Sequence, residues 1–207
     1  MKGVGKKQRS RASPDACSNL RPISEIKCVP HLCSCGAQVD AYVVRSLVCK
    51  RVAGKITRHQ AINDVIAAAF VAADMPVTKE PNDLLIGADK RPDGLTLLPW
   101  QEGKPLTWDI TVVCSLAVSY VSGYTPGAAA EQVASEKCEK YANLLYSYLF
   151  QPIVFKNLGT LNSSAVAPNS SLGRKISTKS NDHLESTFLL QRLTITLQRS
   201  LAREFFL

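Results

Sequence analysis

The sequence lacks any apolar run that approaches the roughly 18 to 20 residues of a membrane-spanning helix. Its longest candidate, Val65 to Val71, is short and is followed by Asp74. No apolar stretch stands behind the basic residues at the N-terminus, so a secretory signal peptide is not expected. These absences favour a protein of the nucleus or the cytoplasm.

A disulfide framework is not expected either, because the chain has seven cysteines, an odd number, and no secretion signal. Four of the seven fall between residues 28 and 49. Such a density of cysteines outside a secreted protein is typical of a metal site. The cysteines therefore indicate a metal-binding segment near the N-terminus.

The formal net charge of +8 is unevenly spread. Residues 1–27 hold seven basic and two acidic side chains, and Arg174, Lys175 and Lys179 form a second basic cluster in a predicted loop. Such patches suit a polyanion, because neutralising phosphates releases condensed counterions. A nucleic acid is therefore a candidate partner, although a solubilising basic tail explains the charge equally well.

Residues 1–27 show no apolar periodicity and are predicted to be a disordered basic tail, and residues 28–57 form a cysteine-containing segment with little helix or strand pattern. From Arg58 to residue 207 the pattern is that of a folded domain. The pattern predicts a helix over 58–73, then three strands over 76–80, 91–98 and 105–114. A helix over 125–150, a strand over 152–158, a loop over 159–181 and a helix from 182 follow. This order predicts an α/β domain with a mixed sheet and flanking helices.

Three carboxylates, Glu80, Asp93 and Asp109, fall on or beside the predicted strands. Asp109 lies in the middle of an apolar strand, where a carboxylate is costly to bury unless it is paired or binds metal. Carboxylate oxygens suit Mg²⁺, which generates the nucleophile in phosphodiester hydrolysis. The alternative is structural: Asp93 shapes a turn, Asp109 pairs with an arginine, and Glu80 is merely exposed.

The pattern resembles the PD-(D/E)XK nuclease superfamily, whose core has the same order of helix, three strands, helix and strand. There an Asp after a Pro and a second acid on the next strand bind metal, and a Lys two residues later orients water or stabilises charge. Pro92-Asp93 and Asp109 match the acids, but Thr111 stands where the lysine is expected. A lysine of the following helix could replace it. Lys137 is the better candidate because it falls on the apolar face of that helix, and Lys140 lies further round.

A set of motifs resembles more closely the C-terminal region of non-LTR retrotransposon polyproteins, where a zinc-knuckle-like segment precedes a restriction-endonuclease-like domain. The motifs are Cys33-Ser34-Cys35-Gly36, Cys49, Arg58-His59, Lys79-Glu80-Pro81, Arg91-Pro92-Asp93-Gly94, Trp108-Asp109-Ile110-Thr111-Val112, and Glu136-Lys137 through Lys140-Tyr141. The resemblance implies a restriction-endonuclease-like core and a Mg²⁺- or Mn²⁺-dependent DNA endonuclease, with RNA as an alternative partner. Its metal ligands would be Glu80, Asp93 and Asp109, with Lys137 or Lys140 assisting catalysis.

The same resemblance leaves open a catalytically inactive, nucleic-acid-binding remnant of such a domain. Thr111 replaces the expected lysine, Arg45 stands at the place of a zinc-binding histidine, and Lys156 stands where related sequences carry an acid. All three acids are nevertheless present, which favours the active enzyme. An unrelated α/β protein whose acids are structural is a third interpretation.

The zinc-knuckle-like segment is one ligand short of a tetrahedral Zn²⁺ site. The cysteines that match the pattern are Cys33, Cys35 and Cys49. His59, Cys28 or His31 could supply the fourth ligand in place of Arg45. His59 could instead contact a DNA phosphate or lie exposed at the start of a helix, and the metal could have been lost altogether.

Overall fold

The computed structural model describes residues 31–32, 35–39, 54–82, 84, 91–114, 128–157 and 159–205. The predicted tail over 1–27 lies outside this part of the chain, as do Cys33 and Cys49. Within the cysteine-containing segment the described residues form a short antiparallel pair of strands, β1 (His31–Leu32) and β2 (Gln38–Val39).

The remaining described residues form a mixed α/β domain. Its helices and strands are α1 (Gly54–Ala72), β3 (Val77–Lys79), β4 (Gly94–Thr96), β5 (Leu106–Val113), α2 (Ala128–Lys140), a 3-10 helix (Ala142–Tyr146), β6 (Leu149–Lys156), α3 (Ser163–Ser180) and α4 (Glu185–Phe205). The sheet has the order β3-β4-β5-β6. The predicted mixed sheet with flanking helices is therefore confirmed.

Three of the strands pair antiparallel and the last pair is parallel. β4 lies between β3 and β5, and β5 pairs with β6 in the same direction. A tight turn with positive φ at Glu102 and Gly103 joins β4 to β5. The parallel pair needs a long crossover connection, and α2 supplies it.

Strand β5 is buried on both faces, because alternate residues of a strand point to opposite sides. Leu106, Trp108 and Ile110 belong to the main hydrophobic core, which α1, α3 and α4 complete. Val113 points the other way, into a smaller cluster with Val154 and residues of α2. Asp109 has the same parity as Val113, so its side chain lies on the α2 side of the sheet.

Helix α1, which the sequence predicts over 58–73, covers the main core with one apolar face. Ile62, Ile66 and Phe70 are buried, and the Phe70 ring stacks on Trp108 with centroids 4.9 Å apart. The helix begins at Gly54, four residues before the predicted start. Its first turn was not predicted because these residues are polar or exposed and carry no apolar periodicity. It ends where Asp74 takes a positive φ of 56° before Met75-Pro76.

The predicted helix from 125 to 150 is wrong at its C-terminal end. Helix α2 ends at Lys140, and the chain tightens into the 3-10 helix before β6 begins at Leu149. Tyr141 and Leu144 are buried and preserve a helix-like apolar spacing through this tighter turn. Pairing of Leu149 with Leu106 then draws the following residues into the sheet, and local pattern does not reveal such a long-range contact.

The predicted loop over 159–181 is also wrong, because most of it is helix α3. Its Ser-, Asn- and Gly-rich composition hides buried apolar residues at helical spacing: Ala165, Leu172 and Ile176. The Glu131 carboxylate accepts a hydrogen bond from the Ser163 backbone N–H (2.6 Å) and caps the helix from another part of the chain. The basic cluster of Arg174, Lys175 and Lys179 therefore lies on a helix.

The chain turns back on β6 before α3 begins. The backbone N–H of Val154 donates to the side chain of Asn162 (2.9 Å), and that of Lys156 donates to the Thr160 carbonyl (2.8 Å). Asn162 is fully buried and returns a backbone hydrogen bond to the Val154 carbonyl. This segment lies along the outer edge of the sheet.

Helix α4 matches its prediction. It begins at Glu185 and buries one leucine stripe, which consists of Leu189, Leu193, Leu197 and Leu201. Within the described part of the chain, neither this helix nor any other is long and apolar enough to cross a membrane.

Candidate active site around Asp93 and Asp109

Antiparallel pairing brings Asp93 and Asp109 to adjacent positions on neighbouring strands. Gly94 is the register partner of Trp108, and the Asp93 N–H donates to the Trp108 carbonyl (2.9 Å), so Asp93 stands opposite Asp109. A Cβ atom at Gly94 would lie 2.0 Å from the Trp108 ring. The glycine of the Pro-Asp-Gly motif therefore allows the close approach that sets Asp93 beside the strand.

The Asp93 carboxylate is held by β5 and α1. Its Oδ2 accepts a hydrogen bond from the Ile110 backbone N–H (2.5 Å) and lies 3.0 Å from Nε2 of His59. The Asp93 carbonyl accepts from the Asn63 side chain (2.9 Å), which in turn accepts from the Trp108 indole (2.9 Å). His59 and Asn63 are one turn apart on α1, so the helix anchors the acid through two residues.

His59 lies beside this acid, an association that the sequence does not predict. The hydrogen bond to Asp93 raises the pKa of the His59 imidazole above its usual value; burial opposes this effect, and the charges of Asp93 and Asp109 add to it. The protonated imidazole is therefore favoured next to the two acids. A spacing of four residues between His59 and Asn63 is the signal that would have placed both on one helix face.

The Asp109 carboxylate is nearly buried and is bound at both oxygens by residues one turn apart, Lys137 near the end of α2 and Tyr141 just after it. The Lys137 ammonium lies 2.5 Å from Oδ2, and the Tyr141 hydroxyl lies 2.9 Å from Oδ1. Lys137, the better lysine candidate from the sequence, therefore contacts the second acid. Thr111, which stands at the expected lysine position, is partly buried in the same strand.

Tyr141 is a site residue that the sequence indicates only as the last residue of the Glu136 to Tyr141 motif and as part of an apolar face, without a role in the site. Its hydroxyl also lies 3.0 Å from the carbonyl of Arg91, two residues before Asp93, and 3.0 Å from the ammonium of Lys140. Burial raises the pKa of the Tyr141 phenol well above its usual value, and Asp109 raises it further, so the group stays protonated. A buried tyrosine needs a hydrogen-bond partner, which is the only local signal of this role.

Glu80 is joined to Asp93 through its backbone, and Lys140 contacts Tyr141. Glu80 is exposed with a φ of 46°, and its backbone N–H donates to the Asp93 carbonyl (3.0 Å). Its carboxylate makes no hydrogen bond or ion pair with another described residue. Lys140 contacts the Tyr141 hydroxyl and lies over its ring, 4.6 Å from the centroid.

The described residues offer two adjacent aspartates, Asp93 and Asp109, and not a fully protein-enclosed metal site. Among the described residues, no three His, Cys, Asp or Glu side chains are grouped to hold a metal ion. Mg²⁺ commonly takes one or two carboxylates from a protein and completes its shell with water and substrate phosphates. The zinc site stays a prediction: Cys33 and Cys49 lie outside the described residues, and Cys35 is partly buried.

No protein-family model and no curated protein matches this sequence. The interpretation of the site therefore depends on its residues and their geometry.

Proposed function

We propose that the chain carries a restriction-endonuclease-like domain, of the type found in retrotransposon polyproteins, that hydrolyses DNA phosphodiester bonds with Mg²⁺ or Mn²⁺. The observation that carries the proposal is the pair of aspartates on neighbouring strands, with a lysine ammonium 2.5 Å from one of them. Carboxylates suit a divalent metal ion that assists phosphodiester hydrolysis, and an adjacent cation can stabilise charge on the phosphate.

Asp93 and Asp109 would hold the metal ion between β4 and β5. When bound, a divalent ion would make a water molecule easier to deprotonate and would stabilise charge on the phosphate. The two aspartates are held by opposite sides of the fold, Asp93 through α1 and Asp109 through α2. Their separation therefore does not depend on one flexible loop.

Lys137 would contact the scissile phosphate. An ammonium group has three N–H donors, and one of them binds Asp109, which leaves two for a phosphate oxygen or water. The Lys137 side chain is 23% exposed, against 6% for Asp109, so it spans the distance between the buried acid and solvent. This lysine would supply the positive charge that Thr111 cannot.

A nucleic acid is the partner that the charge distribution favours. The chain has a net charge of +8, and a large share of it lies in residues 1–27. On α3, Lys179 pairs with Asp74, and Lys175 lies over the Trp100 ring at 5.0 Å. The N-terminal region is therefore the better candidate for phosphate contacts that follow the duplex backbone.

Cleavage of supercoiled plasmid with Mg²⁺ or Mn²⁺ tests the proposal. Asp109→Asn should lower metal-dependent nicking by at least about 100-fold, since even the loss of a ligand's hydrogen-bond partner costs 10–100-fold. Asp64→Asn is the matched control, because Asp64 is also an aspartate paired with a lysine but is exposed. Equal nicking by both variants would refute the assignment of Asp109.

A catalytically inactive, nucleic-acid-binding domain is the second candidate function. It is favoured by Thr111 at the expected lysine position and by the hydrogen-bonded partners that both acids already have. In that case the acids and cations form a structural network. A folded wild-type protein that binds DNA but does not nick plasmid in either metal would establish this alternative.

A further inference from the structure

We propose that Tyr141 is a positioning residue of this site, whose hydroxyl fixes Asp109 relative to the segment that carries Asp93 and so sets the affinity for the divalent ion. The effect on metal affinity rests on the proposed function. The positioning of Asp109 by Tyr141 does not, because it involves only residues of this chain.

The Tyr141 hydroxyl connects the end of α2 to β5 and to the segment before β4. It lies 2.9 Å from Oδ1 of Asp109 on β5 and 3.0 Å from the carbonyl of Arg91. A phenol has one hydrogen to donate, so these two acceptors share it, while the Lys140 ammonium donates to the same oxygen. The position of Asp109 is thereby tied to the chain two residues before Asp93.

The aromatic ring of Tyr141 fixes the position of its hydroxyl. Tyr141 is fully buried, and its ring packs against Phe150 at the start of β6, with centroids 4.7 Å apart. A buried, packed ring cannot move its hydroxyl without displacing its neighbours, because protein interiors are close-packed. The hydroxyl is therefore held in place before any ligand arrives.

Lys137 and Tyr141 together orient the Asp109 carboxylate. Lys137 binds Oδ2 and Tyr141 binds Oδ1, so the carboxylate plane is defined from both sides. Removing the hydroxyl alone would leave one contact, about which the carboxylate can rotate. It would also remove the donor from the Arg91 carbonyl. The position of Asp109 would then no longer be tied to the segment that carries Asp93.

The experiment compares Tyr141→Phe with Tyr146→Phe, which removes the same atom from a tyrosine that is 87% exposed. Mn²⁺ binding to the full chain is measured by electron paramagnetic resonance, together with the Mg²⁺ concentration for half-maximal nicking. Tyr141→Phe should weaken Mn²⁺ binding about 10-fold, the lower limit for groups that orient a ligand. It should raise the half-maximal Mg²⁺ concentration similarly while nicking at saturating Mg²⁺ changes less, and Tyr146→Phe should match the wild type.

Hydrogen exchange of the backbone amides of Asp93 and Ile110 gives a readout that needs no metal. Faster exchange in Tyr141→Phe, at an unchanged melting temperature, supports the positioning role. If the wild type binds no Mn²⁺, the proposed function is refuted, but faster exchange still supports the positioning of Asp109 by Tyr141. Unchanged exchange and unchanged metal affinity in a folded Tyr141→Phe protein would overturn the positioning role and leave the nuclease proposal standing.

Discussion

Replacing Lys137 by methionine should destabilise the domain, because it leaves the Asp109 carboxylate buried without its cation. The Asp109 side chain is 6% exposed and Lys137 is its ion-pair partner. Removing one partner of a buried pair costs about 3–5 kcal/mol. Tyr141 still binds Asp109 in the variant and Lys137 is partly exposed, so we expect a loss of about 2–3 kcal/mol, below that range.

The loss can be measured by urea unfolding and by thermal melting in the absence of metal. For a domain of this size, 2–3 kcal/mol corresponds to a fall in melting temperature of roughly 4–12 °C. The matched control is Lys79→Met, whose partner Asp64 lies in a pair that is more than half exposed on both sides. Exposed pairs contribute little because solvent screens their charges, so this variant should melt close to the wild type.

A second substitution separates the charge from the packing of the lysine stem. If the cost arises from an uncompensated carboxylate, Asp109→Asn in the Lys137→Met background should recover at least about half of the lost stability, because a buried amide carries no charge. The reasoning is refuted if Lys137→Met is as stable as Lys79→Met, or if the double variant is less stable than Lys137→Met.

Two further predictions concern other residues of the site. Gly94→Ala would place a methyl group 2.0 Å from the Trp108 ring, so it should cost about 1–3 kcal/mol or more in urea unfolding, and a loss below 0.5 kcal/mol would contradict the close approach. The pKa of His59 is raised in the folded protein, mainly by Asp93, so its stabilising effect is fully present below the unfolded pKa of about 6.5 and is lost as the pH rises through the folded pKa. Wild-type stability measured without metal should therefore fall more steeply than that of His59→Gln as the pH rises above about 6.5, and parallel pH profiles would contradict the predicted contribution.

Much of the fold follows from local pattern, and the exceptions have physical causes. The succession of one helix and three strands from α1 to β5 is encoded by neighbouring residues, and the structure confirms it. Helix α3 was not predicted, because its polar composition masks its few buried apolar residues. The end of α2 was not predicted either, because β6 forms by pairing with β5, a contact between distant parts of the chain.

The candidate site divides along the same line. The sequence indicates Asp93, Asp109 and Lys137 individually, since each stands in a motif or on a defined face. Their partners could not be predicted, because the contacts join residues 28, 32 and 34 positions apart: Lys137 with Asp109, Tyr141 with Asp109, and His59 with Asp93. Such pairs arise only when strands and helices pack, and one sequence carries no direct signal of that packing.

The return of the chain along β6 has a consequence for how this domain can associate with other chains. An open strand edge presents unpaired N–H and C=O groups, onto which a second chain can add a strand. Along Val154 to Lys156 these groups are already bound by residues 160–162 of the same chain, in part through the Asn162 side chain. The sheet is thereby closed to intermolecular strand addition at this stretch, and Asn162→Ala would reopen one of its backbone donors.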